Sequence, residues 1–222
     1  MRKMLTVLLM ILLPLPVSAA EESGQTEPRL TAPVRDENLP RTRWEDRPQA
    51  QLWTRAALAS LKDHARPLTS VVPRDIDAWC PAYPQADEAQ RRAFWVGLLS
   101  ALAKHESTYR PHAVGGGGQW YGLLQILPAT ARGYGCRARS GEALTHAPDN
   151  LACALRIMTR TVRRDGVISA GMRGVAADWG PFHDAAKRHD MKRWIRRQSY
   201  CKPLSSVRPE ARPVVIRTVE AE

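Results

Sequence analysis

The sequence predicts a mostly α-helical single domain, stapled by disulfides and flanked by flexible ends. Three observations predict it. Apolar residues recur three and four apart in several windows between residues 50 and 198. No alternating strand run appears before the C-terminal tail. Roughly 150 residues lie between two polar, Pro-containing ends, enough to bury one core.

Taken in order, residues 1–19 combine Arg2 and Lys3, an apolar run from Met4 to about Leu15, and small residues at Ser18 to Ala20. This is the order of a secretory signal peptide, too short for an ordinary membrane span. Residues 20–48 are rich in Pro, Glu, Arg, Thr and Asp and read as a flexible arm. The domain is expected over 49–201. Its first helix covers 50–64, with Leu52, Trp53, Ala56, Ala57 and Leu61 on one side. A second runs from about Asp87 to Ser107, capped by Asp87 with Gln90 and buried through Phe94, Trp95, Leu98, Leu99 and Leu102. Pro128 suits the first turn of a short helix ending near Gly133 or Gly135. Another starts at Asp149 or Asn150, and a last one covers about 184–198 with Met191, Trp194 and Ile195 inward. The tail, 202–222, is Pro-containing and polar, with Pro213 to Ile216 as a candidate strand.

Composition bounds the compartment and the partners. The chain holds 33 Lys and Arg against 22 Asp and Glu, which suits attraction to anionic polymers. A nucleic-acid partner would need the same charge, but an exported chain argues against it. The expected location is periplasmic or secreted. Export also favours two disulfides among Cys80, Cys136, Cys153 and Cys201. Four cysteines permit three pairings. Cys80 and Cys201 bracket the domain, Cys136 and Cys153 bracket a short internal loop, and these are the expected pairs. No CxxC and no histidine ligand spacing occurs, so no metal and no cofactor are expected. His105 beside Glu106 lacks the second histidine of a metalloprotease helix.

The chemistry-bearing stretch is 103–131. Glu106 closes an apolar helix, and half-burial there would raise its carboxyl into the range of a general acid. Glu106-Ser107, Tyr109 and Pro111 come first, then the glycine run 115–118, which reads as a flexible substrate-side loop. Gly122-Leu123-Leu124-Gln125-Ile126 and Pro128-Ala129-Thr130-Ala131 complete the block, and Asn150-Leu151 follows. This order resembles the soluble lytic transglycosylases, lysozyme-like enzymes that cleave peptidoglycan glycan strands. The resemblance covers roughly residues 90–182. It implies a lysozyme-like transglycosylase domain with Glu106 as single acid and base, and Ser107 and Gln125 against the substrate. Trp120 and Tyr121 are candidates for stacking on sugars.

One departure concerns the family's Ala-Tyr-Asn-Ala-Gly segment. Here the corresponding residues are Ala176-Ala177-Asp178-Trp179-Gly180. Either Asp178 stands near Glu106, or Trp179 fills the aromatic place and Asp178 caps or pairs with an arginine. Two rival readings follow: a goose-type lysozyme-like hydrolase, and a non-catalytic peptidoglycan-binding envelope protein. A monomer is expected, and flexible ends would suit association with a larger envelope machine.

Overall fold

The computed structural model describes residues 38–203, and helices dominate them. In chain order they are α1 (Ala50–Lys62), α2 (Arg66–Thr69), α3 (Glu88–Glu106), α4 (Pro128–Gly133), α5 (Gly141–Leu144), α6 (Ala147–Asp165) and α7 (Ala185–Arg196). Between α3 and α4 lie two-residue strands, β1 (Val114–Gly115) and β2 (Trp120–Tyr121). The expected signal peptide, most of the arm and the candidate strand at 213–216 fall outside the described residues.

The helix that matters most is α3. Asp87 accepts from the Gln90 amide at 2.7 Å and the Gln90 side chain accepts from the Asp87 amide at 3.1 Å, a reciprocal cap that fixes its start. From Ala93 to Ala103 every residue is buried. The sequence reading expected one apolar stripe; the helix instead is apolar nearly all round because it runs through the middle of the domain. Tyr83, Phe94 and Trp95 meet edge to face, and Trp95 Nε1 donates to the Tyr83 hydroxyl at 2.9 Å. Each such aromatic buried fully contributes about 1.5–3 kcal/mol.

Around α3 pack α1, α2 and α7, while α6 packs on α1 and α2. On α1 the buried face is Trp53, Ala57 and Leu61, spaced by four, and Leu52 lies a third of a turn away and is 52% exposed. The expected inward place of Leu52 is therefore corrected. Helix α6 begins at Ala147, two or three residues before its expected start, because Pro148 sits in the first turn where no amide donor is needed. The boundary of the arm also moves. Trp44 is fully buried, packs edge-on against Trp53 at 5.7 Å, and donates from Nε1 to Thr54 at 3.0 Å. A lone tryptophan in a polar stretch is thus enough to draw residues before 49 into the core.

Both expected disulfides form. Cys80–Cys201 closes 121 residues and Cys136–Cys153 closes 17. Beyond α6, Asp75 accepts the amides of Ile168, Ser169 and Ala170, and Asp165 accepts that of Gly174 at 2.7 Å with Arg164 and Arg173 beside it. These carboxylates hold a segment without regular ladders, whose amides would otherwise be orphaned.

Candidate active site

Glu106 is the last residue of α3. Immediately after it the chain turns off the helix through Thr108 and Tyr109, both at positive φ (52° and 62°). Side chains other than glycine rarely adopt this region, and each such residue costs on the order of 1 kcal/mol or more. The turn is held by Tyr109 N and Ser107 N on the Ala103 carbonyl, by Arg110 Nε on the Ser107 carbonyl at 3.1 Å, and by Arg47 over the Tyr109 ring. A packed frame thus keeps Glu106 at the helix end.

Burial pushes the Glu106 carboxyl up to about 7, with the Lys187 ammonium on α7 opposing it. A carboxyl in that range is half protonated at neutral pH, so it can donate a proton and then take one back. Among the described residues no carboxylate contributes to this shift. The sequence adds that no Asp or Glu occurs between Glu106 and Glu142.

Behind the acid lies an ionic hub on α7. Asp190 accepts from both terminal nitrogens of Arg43 at 2.7 and 3.0 Å and from His105 Nε2 at 2.8 Å, with Lys104 at 3.6 Å. The Arg43 guanidinium holds the Asp190 carboxyl far below the usual range against the opposing effect of burial, and His105 adds to the lowering. Burial pushes His105 below its ordinary value and outweighs the attraction of Asp190. Since Asp190 is ionised, the His105 Nε2–H must be the donor.

The segment 113–126 holds the loop expected to form the substrate-side wall. β1 and β2 pair antiparallel, Val114 with Tyr121 and Gly115 with Trp120, an element the sequence reading treated only as a loop. Trp120 is 46% exposed and its ring lies over Gly116, where a Cβ would stand 2.3 Å from it. Tyr121 donates to the Gly118 carbonyl at 2.6 Å. Gln125 sits at φ 47° and gives its amide NH2 to the Ala113 and Gly122 carbonyls at 3.2 and 3.0 Å. Its donors therefore tie the loop, and Gly115 packs against its carbonyl oxygen. Ser107 is buried with its hydroxyl turned back to the Ala103 carbonyl at 3.4 Å.

Two residues lock this wall to the helices. Asn150, fully buried on α6, accepts from the Leu124 amide and donates to the carbonyls of Tyr121 and Leu144. Gly122 lies against it at φ 79°, leaving no room for a side chain. Trp179 is 4% exposed and donates from Nε1 to the Leu124 carbonyl at 3.0 Å. Trp179 is turned inward onto the Leu124 carbonyl, and the Asp178 carboxylate lies 3.5 Å from the Tyr134 hydroxyl, its pKa raised by burial with Tyr134 and Arg164 opposing. Sequence reasoning did not find Lys187, Arg43 or Asp190. The available signal was slight: Asp190 is the sole acid on the basic helix α7.

Residues 84–170 match the family model of the transglycosylase SLT domain. The chain carries an SLT domain. Three solved structures of Bd0314 DslA are similar to it. One Glu-to-Gln mutant is 29% identical with a TM-score of 0.67, covering 76% of this chain and 100% of its own. The wild-type form 2 is 28% identical with a TM-score of 0.66, covering 73% and 98%. A second Glu-to-Gln mutant is 28% identical with a TM-score of 0.67, covering 76% and 100%. No curated protein matches the chain. The family match holds Glu106, Gln125 and Asn150 but excludes Arg43, Trp179, Lys187 and Asp190. The SLT domain is that of a lytic-transglycosylase-like peptidoglycan enzyme.

Proposed function

We propose that the chain is an exported peptidoglycan lytic transglycosylase with Glu106 as its single acid and base. The reaction cleaves the β-1,4 bond between N-acetylmuramic acid and N-acetylglucosamine. Glu106 gives its proton to the glycosidic oxygen as the bond from C1 to that oxygen breaks. The substrate's N-acetyl oxygen stabilises the cationic C1. The Glu106 carboxylate then takes the proton of the muramyl 6-hydroxyl, whose oxygen bonds to C1 and yields the 1,6-anhydro product. The acid ends the cycle protonated, and no water is consumed.

The observation that carries this reading is a carboxyl near pKa 7 on which no second carboxylate acts among the described residues. Two-carboxylate glycosidases need both groups flanking the scissile bond. Lys187 stabilises the carboxylate form that must exist midway through the cycle. In this reading the exposed Trp120 and the half-buried Tyr121 line the groove, and Gln125 and Trp179 brace it through their bonds to the Ala113, Gly122 and Leu124 carbonyls.

The test is to incubate purified sacculi with the protein and weigh the released muropeptides. Fragments one water lighter than hydrolytic ones are expected. Hydrolytic masses would move the assignment to a lysozyme, and bound but uncut sacculi to a non-catalytic wall protein. Replacing Lys187 by Ala removes the charge that lowers the Glu106 pKa, so the alkaline limb of kcat/KM should move to higher pH. The ratio of rates at pH 8 and pH 6 should rise roughly two- to threefold. An unchanged profile would mean Lys187 does not face the acid in solution.

A further inference from the structure

A cleft of about 720 Å³ opens between α1, the first half of α3 and the segment after α7. Its lining includes Arg41, Lys62, Arg92, Arg197 and Lys202, and no Asp or Glu. Arg197 also lines a second hollow of about 460 Å³, with Lys192, Arg193 and Arg196 of α7 and again no acid. Together the two make one basic surface. Arg92 stands four turns before Glu106 on α3, about 21 Å along the helix, so this surface is separate from the catalytic groove.

The charge there is poorly neutralised. Arg41 pairs with Glu45, Arg92 with Glu88 and Arg193 with Asp190, but Lys62, Arg197 and Lys202 make no ion pair among the described residues. Lys192, seated over the Trp79 ring, is held below its ordinary pKa by burial and then by Arg188, with Asp75 opposing. The described residues carry the whole cationic surplus: residues 38–203 hold 26 Lys and Arg against 14 Asp and Glu.

We infer that this surface binds the stem-peptide carboxylates of peptidoglycan, gripping the wall at a distance from the bond being cut. The inference rests on the peptidoglycan reading of the groove. Guanidinium forks match carboxylates in two-point hydrogen bonds. A bilayer-docking surface would add apolar side chains to enter the lipid. None of the exposed large apolar residues (Leu52, Val72, Val114, Trp120 and Met172) lines either hollow. A single-stranded nucleic acid would need exposed rings to stack on, and the aromatic residue in the larger cleft, Tyr200, is only 6% exposed.

The experiment uses the full chain with Glu106→Gln, so that binding is measured without cleavage. Lys62→Glu, Arg197→Glu and Lys202→Glu are added together; all three side chains are exposed. Co-sedimentation with intact sacculi should weaken roughly tenfold at 0.1 M salt, and the difference should vanish at high salt. Soluble glycan strands freed of stem peptides by an amidase, which keep only the lactyl carboxylate, should bind weakly and equally with or without the reversals when read by fluorescence anisotropy. The Gln versions of the same three positions should give an intermediate loss. Unchanged binding to intact sacculi overturns the inference. So does a loss confined to phosphatidylglycerol vesicles, which would assign the surface to lipid. Cleavage by the protein with Glu106 intact is read separately. If it cleaves but charge reversal leaves binding unchanged, only the docking surface fails. If it does not cleave yet reversal weakens binding, the activity fails and the surface stands.

Discussion

Glu106→Gln is expected to abolish strand cleavage and, in the same molecule, to raise the melting temperature. The amide cannot release a proton to the leaving oxygen, and general acid–base catalysis is worth about 10²–10⁴ in rate. A loss of at least about a hundredfold in muropeptide release is therefore expected. The gain in stability follows from linkage. Burial raises the folded pKa of Glu106 to about 7, above its ordinary value. The stability it contributes is fully present below the unfolded pKa and is lost as pH rises through about 7. The cost at pH 8 is on the order of 2–3 kcal/mol. The variant escapes it, so its melting point should exceed that of the parent by roughly 5–8 °C at pH 8, with the gap closing near pH 4. The parent's kcat/KM should fall above about pH 7 as the acid form is lost. A variant that melts no higher at pH 8 would show that Glu106 is solvated in solution.

Asp190→Ala is expected to lose both stability and turnover. The substitution leaves Arg43 and His105 facing each other without their shared acceptor. Breaking a largely buried pair by removing one partner costs about 3–5 kcal/mol. Because the Asp190 side chain retains 21% exposure, about 2–3 kcal/mol is the expected loss. The functional part is separable. Asp190 joins the end of α3, the segment before α1 and the helix that carries Lys187, so its loss should let the acid and its countercharge drift. We expect kcat to fall about tenfold with KM nearly unchanged. Asp165→Ala is the control, since that carboxylate is also buried and paired but serves the segment after α6. It should lower the melting point comparably and, assayed well below that point, leave kcat intact. Equal kcat losses in the two variants would make Asp190 a stability residue only.

What could be read from the sequence was local in the chain. Asp87 and Gln90 are three residues apart, and their reciprocal cap forms as expected. Glu106 at its helix end and the 122–131 block sit within one contiguous run, and both disulfides pair as anticipated. The failures are contacts between distant positions. Arg43 and Asp190 are 147 residues apart, and Trp179 and Leu124 are 55 apart. Composition assigned residue 43 to a flexible arm, and the helix pattern at 184–198 singled out only Met191, Trp194 and Ile195, because neither rule weighs a partner elsewhere. Gln125, which the resemblance sets against the substrate, has a positive φ and donates two hydrogen bonds that tie the loop.

The bond between Cys80 and Cys201 makes everything from the start of the aromatic cluster to the end of α7 a closed covalent ring. The Gly116–Gly118 turn, the most exposed glycine stretch near the acid, lies on that ring. A protease that severs it opens the ring but releases no piece, since residues on both sides stay joined through the sulfurs. While that disulfide stands, the chain can be cut at this turn without the acid and its countercharge on α7 parting company.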